Sequence, residues 1–138
     1  MRLIYAALAG FLLGVSAFFT FVVPEVAFSV LGGRGLGSFL AAVFPRFYLV
    51  VAVFAAALTA VGFATFGLRH ASALAPALAL LLTLAAWIWL LPEVNAAIGS
   101  PRFGLLHGVS LGLDMLAMVL WLIGLLTARG RRAPASLR

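Results

Sequence analysis

The sequence predicts an all-α integral membrane protein, a four-helix bundle running up-down-up-down with kinks at prolines. Three observations carry this prediction. Of 138 residues, 66% are hydrophobic and 9% are charged, and the mean hydropathy is +1.27. Soluble domains carry roughly 25% charged residues, because a water-facing surface needs them. Four apolar runs are each long enough for the ~20 helical residues that cross a ~30 Å hydrocarbon layer. Glycine, proline and arginine separate these runs, as expected of spans joined by short turns. The length leaves room for one domain, residues 1–128, followed by a basic tail at 129–138.

The first span is expected at residues 3–30. Arg2 precedes it, but the apolar run is too long for a signal-peptide core, so an uncleaved helix is expected. Gly10 and Gly14 form a GxxxG, which lets a second helix approach closely because no Cβ intervenes. Pro24 removes the N–H that would bind the carbonyl of Thr20 and should loosen the helix there. The segment Gly32-Gly33-Arg34-Gly35-Leu36-Gly37 reads as a turn, since so many glycines hold a helix poorly. Ser38 then fits an N-cap for the second span, residues 38–67, in which Pro45 either kinks the helix or restarts it.

The third span is expected at residues 73–97, with Pro76 in its first turn, where a missing N–H costs little, and Pro92 near its far end. Gly99-Ser100-Pro101 makes the next turn. The fourth span, residues 103–127, holds Gly104, Gly108 and Gly112, a double GxxxG suited to close packing within the chain or in a homo-oligomer. Tyr48, Trp87 and Trp89 fall near one interface and Tyr5 and Trp121 near the other, as aromatic belts would.

Arginine placement sets the expected orientation. Arg2, Arg69, Arg129, Arg131, Arg132 and Arg138 lie on one side, and Arg34, Arg46 and Arg102 on the other. The richer side should be cytoplasmic, which puts both termini inside a cell (plasma or inner) membrane. The net charge of +6 therefore points to a lipid bilayer and not to nucleic acid, because the arginines stand singly at the ends of apolar runs and cluster only in the tail.

Polar chemistry is sparse and mostly on the outer side. Val23-Pro24-Glu25-Val26 echoes Leu91-Pro92-Glu93-Val94, and Pro45-Arg46-Phe47 echoes Pro101-Arg102-Phe103. Glu25, Arg46, Glu93 and Arg102 thus fall at one depth and are expected to pair, with Asn95 and His107 at the rim. His107, Ser110 and Asp114 share one side of the fourth helix, since offsets of three and seven return to nearly one face. Asp114 lies near mid-span, where a charge costs at least ~2.5 kcal/mol, and is expected to hydrogen-bond to Ser110, Thr20 or a freed carbonyl.

No catalytic set and no metal-ligand spacing is visible, so no enzyme is expected. With no cysteine in the chain, thiolate ligands and disulfides are excluded. Met115 and Met118 read as core residues and not as copper ligands. A single-His haem at His107 stays open, whereas a bis-His haem does not, because His70 belongs to the other side.

Phe44-Pro45 with Phe47-Tyr48, Pro92 with Asn95, then Phe103 and Leu106-His107-Gly108-Val109-Ser110 resemble the transmembrane-protein-205-like family, also called domain of unknown function 4149. The resemblance spans residues 3–126 and is best in the Leu-His-Gly-x-Ser segment. Where that family tends to carry Asn after the segment, this chain has Asp114. The resemblance implies a small multi-pass membrane protein without a defined reaction. The name-giving member is associated with tolerance to platinum drugs and with vesicle traffic. A more distant similarity to four-helix haem-associated membrane proteins points to the haem alternative.

The leading expectation is a non-enzymatic membrane protein whose outward polar pocket binds or passes a small cation, solute or lipid headgroup. The alternatives are an assembly protein in which the Glu/Arg cluster only locks helices, and a haem-binding redox protein using His107.

Overall fold

The computed structural model describes residues 1–129; Arg129, expected to open the basic tail at 129–138, is the last residue of a helix, and the rest of that tail lies outside the described residues. Four helices are long and apolar enough to cross a membrane: α1 Arg2–Gly32, α2 Gly35–Phe66, α3 Ala71–Ala96 and α4 Arg102–Arg129. They alternate in direction, and each packs on the next in chain order, with α4 closing back onto α1. Met1, the α2–α3 turn and Arg129 mark one end of the bundle, here termed proximal. The α1–α2 and α3–α4 turns mark the distal end.

The turns are shorter than the sequence suggested. The Gly32–Gly37 segment contracts to a break at Gly32, whose φ of 62° is the only non-helical value between α1 and α2. Helix resumes at once because a single left-handed residue reverses the chain, and α2 starts at Gly35. Ser38 is therefore not a cap; it sits inside α2 and donates its hydroxyl to the Gly35 carbonyl at 3.0 Å. At the proximal turn the helix-capping role falls to His70, whose Nδ1 accepts from the Ser72 N–H at 3.1 Å.

The prolines act differently from one another. In α1 the ladder slips at Val22, φ −104°, two residues before Pro24, and then continues to Gly32. α2 runs through Pro45 without restarting. In α3 the residues Ala86–Leu90 form one π-helical turn, and Leu91 donates to the Ala86 carbonyl, which absorbs the register change ahead of Pro92. Pro76 lies inside α3 and not in its first turn, because α3 begins at Ala71.

That position leaves the Ser72 carbonyl without its helical donor. The Tyr5 hydroxyl supplies the bond instead, at 2.7 Å. The Ser72 hydroxyl lies 2.9 Å from that of Thr127, tying α3 to α4. The glycines that let the helices meet here are Gly62 and Gly124. A Cβ on Gly62 would lie 2.7 Å from the Ser72 carbonyl oxygen, and one on Gly124 would lie 2.6 Å from the Tyr5 hydroxyl and 3.1 Å from the Pro76 ring.

The GxxxG expectation is corrected by the same measure. A Cβ on Gly10, Gly14, Gly104, Gly108 or Gly112 would meet nothing within 4 Å. These five glycines face outward on the chain. Spacing alone gives a smooth stripe but does not bring a neighbour to it. The belts are corrected as well. Tyr5, Tyr48 and Trp121 are core residues, each no more than 1% exposed, while Trp89 is 74% exposed. Both tyrosine hydroxyls find acceptors inside the bundle, which removes their need for an interface.

Burial is uneven along the axis. Tyr5, Ala9, Leu12, Ser16 and Phe19 line the inner face of α1 at helical spacing. On α4 the buried residues are Ala117, Met118, Trp121 and Gly124, all in its proximal half. No residue from 102 to 116 is buried, and none from 35 to 46 on α2. Along α4 and the start of α2, the bundle is tight in the proximal half and open in the distal half.

Candidate functional site

Besides an apolar groove of about 390 Å³ along the end of α1, the open half holds two adjoining cavities with polar residues in their walls. The distal one, about 160 Å³, lies between α2, the end of α3 and the start of α4, with Ala41, Phe44, Asn95, Phe103 and His107 in its wall. The deeper one, about 110 Å³, is lined by Phe19, Thr20 and Pro24 from α1, Phe44 from α2, and His107, Ser110, Leu111 and Asp114 from α4. Phe44 and His107 belong to both walls, so His107 stands between the cavities. Its ring stacks on Phe103, centroids 5.4 Å apart and planes 10° from parallel, which fixes its orientation.

Two prolines add backbone polarity here. Pro24 leaves the Thr20 carbonyl, and Pro45 the Ala41 carbonyl, without their usual helical donors, and both residues line a cavity. This is the arrangement in which broken helix backbone is tolerated at membrane depth, against a cavity and not against lipid.

Asp114 lies at the bottom, about 18 Å along α4 from Arg102 at 1.5 Å per residue. Its partner is Tyr48, which comes across from α2. The Tyr48 hydroxyl lies 3.3 Å from Oδ1 and 3.4 Å from Oδ2 of Asp114, and 3.2 Å from the Ser110 Oγ. A phenol has one proton. If Tyr48 donates it to the carboxylate, Ser110 must donate to Tyr48, and the three form a chain. All three distances exceed the ~2.7–2.8 Å usual for O–H···O bonds. A carboxylate offers about four acceptor positions. Here one long hydroxyl bond serves two oxygens, and no ion pair reaches Asp114 among the described residues.

The structure thus places His107, Ser110 and Asp114 along one cavity and Asn95 on the cavity above it. It does not bring the Glu/Arg set together. Glu25, Arg46, Glu93 and Arg102 are all exposed and form no ion pair with one another among the described residues. Arg46 instead turns back along its own helix and donates to the Ala42 carbonyl. The repeat fixed a common depth, but the rotation of each helix, set by its apolar face, pointed the charges outward.

Tyr48 is the functional residue that the sequence reading missed, because its position near a span end suggested a belt. The available signal was its place on the buried stripe Tyr48, Val51, Ala55 and Leu58, where a hydroxyl needs a partner.

The cavities of about 160 and 110 Å³ fall below the ~300–1,000 Å³ of sites that hold drug-sized ligands, and a haem macrocycle is larger still. His70 is occupied at the other end as a helix cap. Among the described residues no group of three His, Cys, Asp or Glu side chains is placed to hold a metal.

No curated protein and no solved structure matches the chain. A family model described as a domain of unknown function, DUF4149, matches residues 7–99. The match takes in most of α1 and all of α2 and α3, including Thr20, Tyr48 and Asn95, and stops before His107, Ser110 and Asp114. It carries the unknown-function description and not the transmembrane-protein-205-like name. With most of its length covered by that model, the chain belongs to the DUF4149 family.

Proposed function

We propose that this multi-pass membrane protein is a non-catalytic binder of a small cation, the proton included, at Asp114. One observation carries the reading: an intramembrane carboxylate faces a cavity with a single long hydroxyl bond and, among the described residues, no ion pair. An ionisable group at this depth is costly unless something offsets its charge. A cation coordinated by the carboxylate, Ser110 and the Thr20 backbone would do so, and so would a bound proton. Cavity size favours this class over an organic solute or a lipid headgroup, because about 110 Å³ holds only a few water-sized species. The arginine distribution supports a bundle whose termini are cytoplasmic and whose cavities open outward.

Thermal unfolding of the detergent-solubilised protein tests this. A bound cation at a hundred times its dissociation constant stabilises by about 2.7 kcal/mol. The wild-type melting temperature should therefore depend on whether the salt is sodium, potassium or choline, or on pH, and Asp114→Asn should abolish that dependence. Equal responses in both proteins sink the proposal. A second reading rests on the Tyr48 hydroxyl spanning Ser110 and Asp114, which makes the trio a pin between α2 and α4. In that case Asp114→Asn, which can still accept the bond, leaves the protein stable, and neither the wild type nor the variant senses the cation.

A further inference from the structure

The proximal end carries a site of a different kind. Between the start of α1 and the end of α4 lies a cleft of about 330 Å³ lined by Arg2, Tyr5, Ala6, Leu125, Ala128 and Arg129. Its volume reaches the ~300 Å³ at which ligand sites begin, unlike the two distal cavities beside His107. Its two cations come from different helices, α1 and α4, and the rest of its lining is Tyr5, Ala6, Leu125 and Ala128. Arg2 is also steadied from a third helix, its guanidinium carbon lying 5.8 Å from the centre of the Phe66 ring.

Among the described residues, the ionisable side chains at this end besides Tyr5 are basic: Arg69 and His70 join the two cleft arginines, while Glu25, Glu93 and Asp114 lie at the other end or in mid-span. Arginine matches phosphate oxygens through paired N–H donors. Because Arg2 and Arg129 terminate membrane-crossing helices, they sit where lipid headgroups are. The cleft floor, with exposed Leu3 and Leu126 beside it, continues into surface suited to an acyl chain.

We propose that this cleft binds the phosphate headgroup of an anionic phospholipid, held between Arg2 and Arg129, with an acyl chain lying along α1 and α4. Basic pockets between membrane helices recognise anionic lipids on this principle. The inference is independent of the reading at Asp114 and of the orientation of the bundle.

Native mass spectrometry of the full chain, released from nanodiscs of equal parts phosphatidylglycerol and phosphatidylcholine, tests it. Phosphatidylglycerol should be retained in preference, at one or more molecules per chain. Arg2→Gln with Arg129→Gln should lower that retention at least tenfold, while Arg46→Gln with Arg102→Gln, an equal loss of charge at the distal end, should leave it intact. Retention of both lipids alike overturns the proposal, as does a distal variant that loses as much lipid as the cleft variant. Displacement of the lipid by millimolar inorganic phosphate would mark a small-anion site and also overturn it. Should the double cleft variant fail to fold, Arg129→Gln alone, at the last described residue of α4, should still lower retention at least threefold, and unchanged retention there refutes the site.

Discussion

The two ends of the bundle use the same residue types to opposite effect. At the proximal end Gly62 and Gly124 are so closely covered that a Cβ would overlap a backbone carbonyl or a tyrosine hydroxyl. The carbonyl freed by Pro76 is taken by Tyr5. At the distal end Gly104, Gly108 and Gly112 face open space, and the carbonyls freed by Pro24 and Pro45 belong to cavity-lining residues. The same residue types therefore produce a lock at one end and open cavities with a few polar groups in their walls at the other. The difference lies in whether a neighbouring helix arrives.

Substitutions can break or sharpen this contrast. Gly124→Leu should have the largest effect. The clash falls on Tyr5 and on the rigid Pro76 ring, and overpacking of this kind costs ~3 kcal/mol or more. Loss of the folded, monodisperse peak on size exclusion is the expected result. Tyr5→Phe should come next, at ~1–3 kcal/mol, because it leaves the buried Ser72 carbonyl without a donor; a lowered melting temperature reads it.

Tyr48→Phe removes a hydroxyl buried as deeply as that of Tyr5, but its bonds are longer, so a loss below ~1 kcal/mol is expected. A loss equal to that of Tyr5→Phe would mean that the distal network is a lock too. Glu93→Gln should change the melting temperature within ~0.5 kcal/mol, as for an exposed side chain, and a drop of several kcal/mol would restore the ion-pair clamp. Gly108→Leu should be smallest of all in stability. If it shifts the oligomeric state on native mass spectrometry, the glycine face meets a second copy of the chain.

The four spans and their order were legible because membrane helices announce themselves through long apolar runs between breakers. The shared face of His107, Ser110 and Asp114 was legible because helical period is local. Partnership across helices was not. Gly62 and Gly124 have no motif, yet they make the closest approaches, whereas the GxxxG pairs have the motif and no neighbour. The repeated Pro-Glu-Val and Pro-Arg-Phe segments gave depth but not rotation, so the expected ion pairs dissolve into four exposed charges. Tyr48 looked like an anchor because sequence shows how near a residue lies to a span end and not which way its ring turns.

Immediately below Asp114 on α4 come Ala117, Met118 and Trp121, all buried, and then the junction of Tyr5 with Gly124 and Ser72. The cavity is therefore a cul-de-sac. If Asp114 binds a cation as proposed, the ion would have to leave by the way it came, and its occupancy would track the concentration on one face of the membrane alone. In reconstituted vesicles such a site would fill and empty without carrying steady current. Part of the transmembrane field would fall across the cavity, so occupancy would shift with voltage, and a step in potential would produce a brief displacement of charge that stops when the new equilibrium is reached.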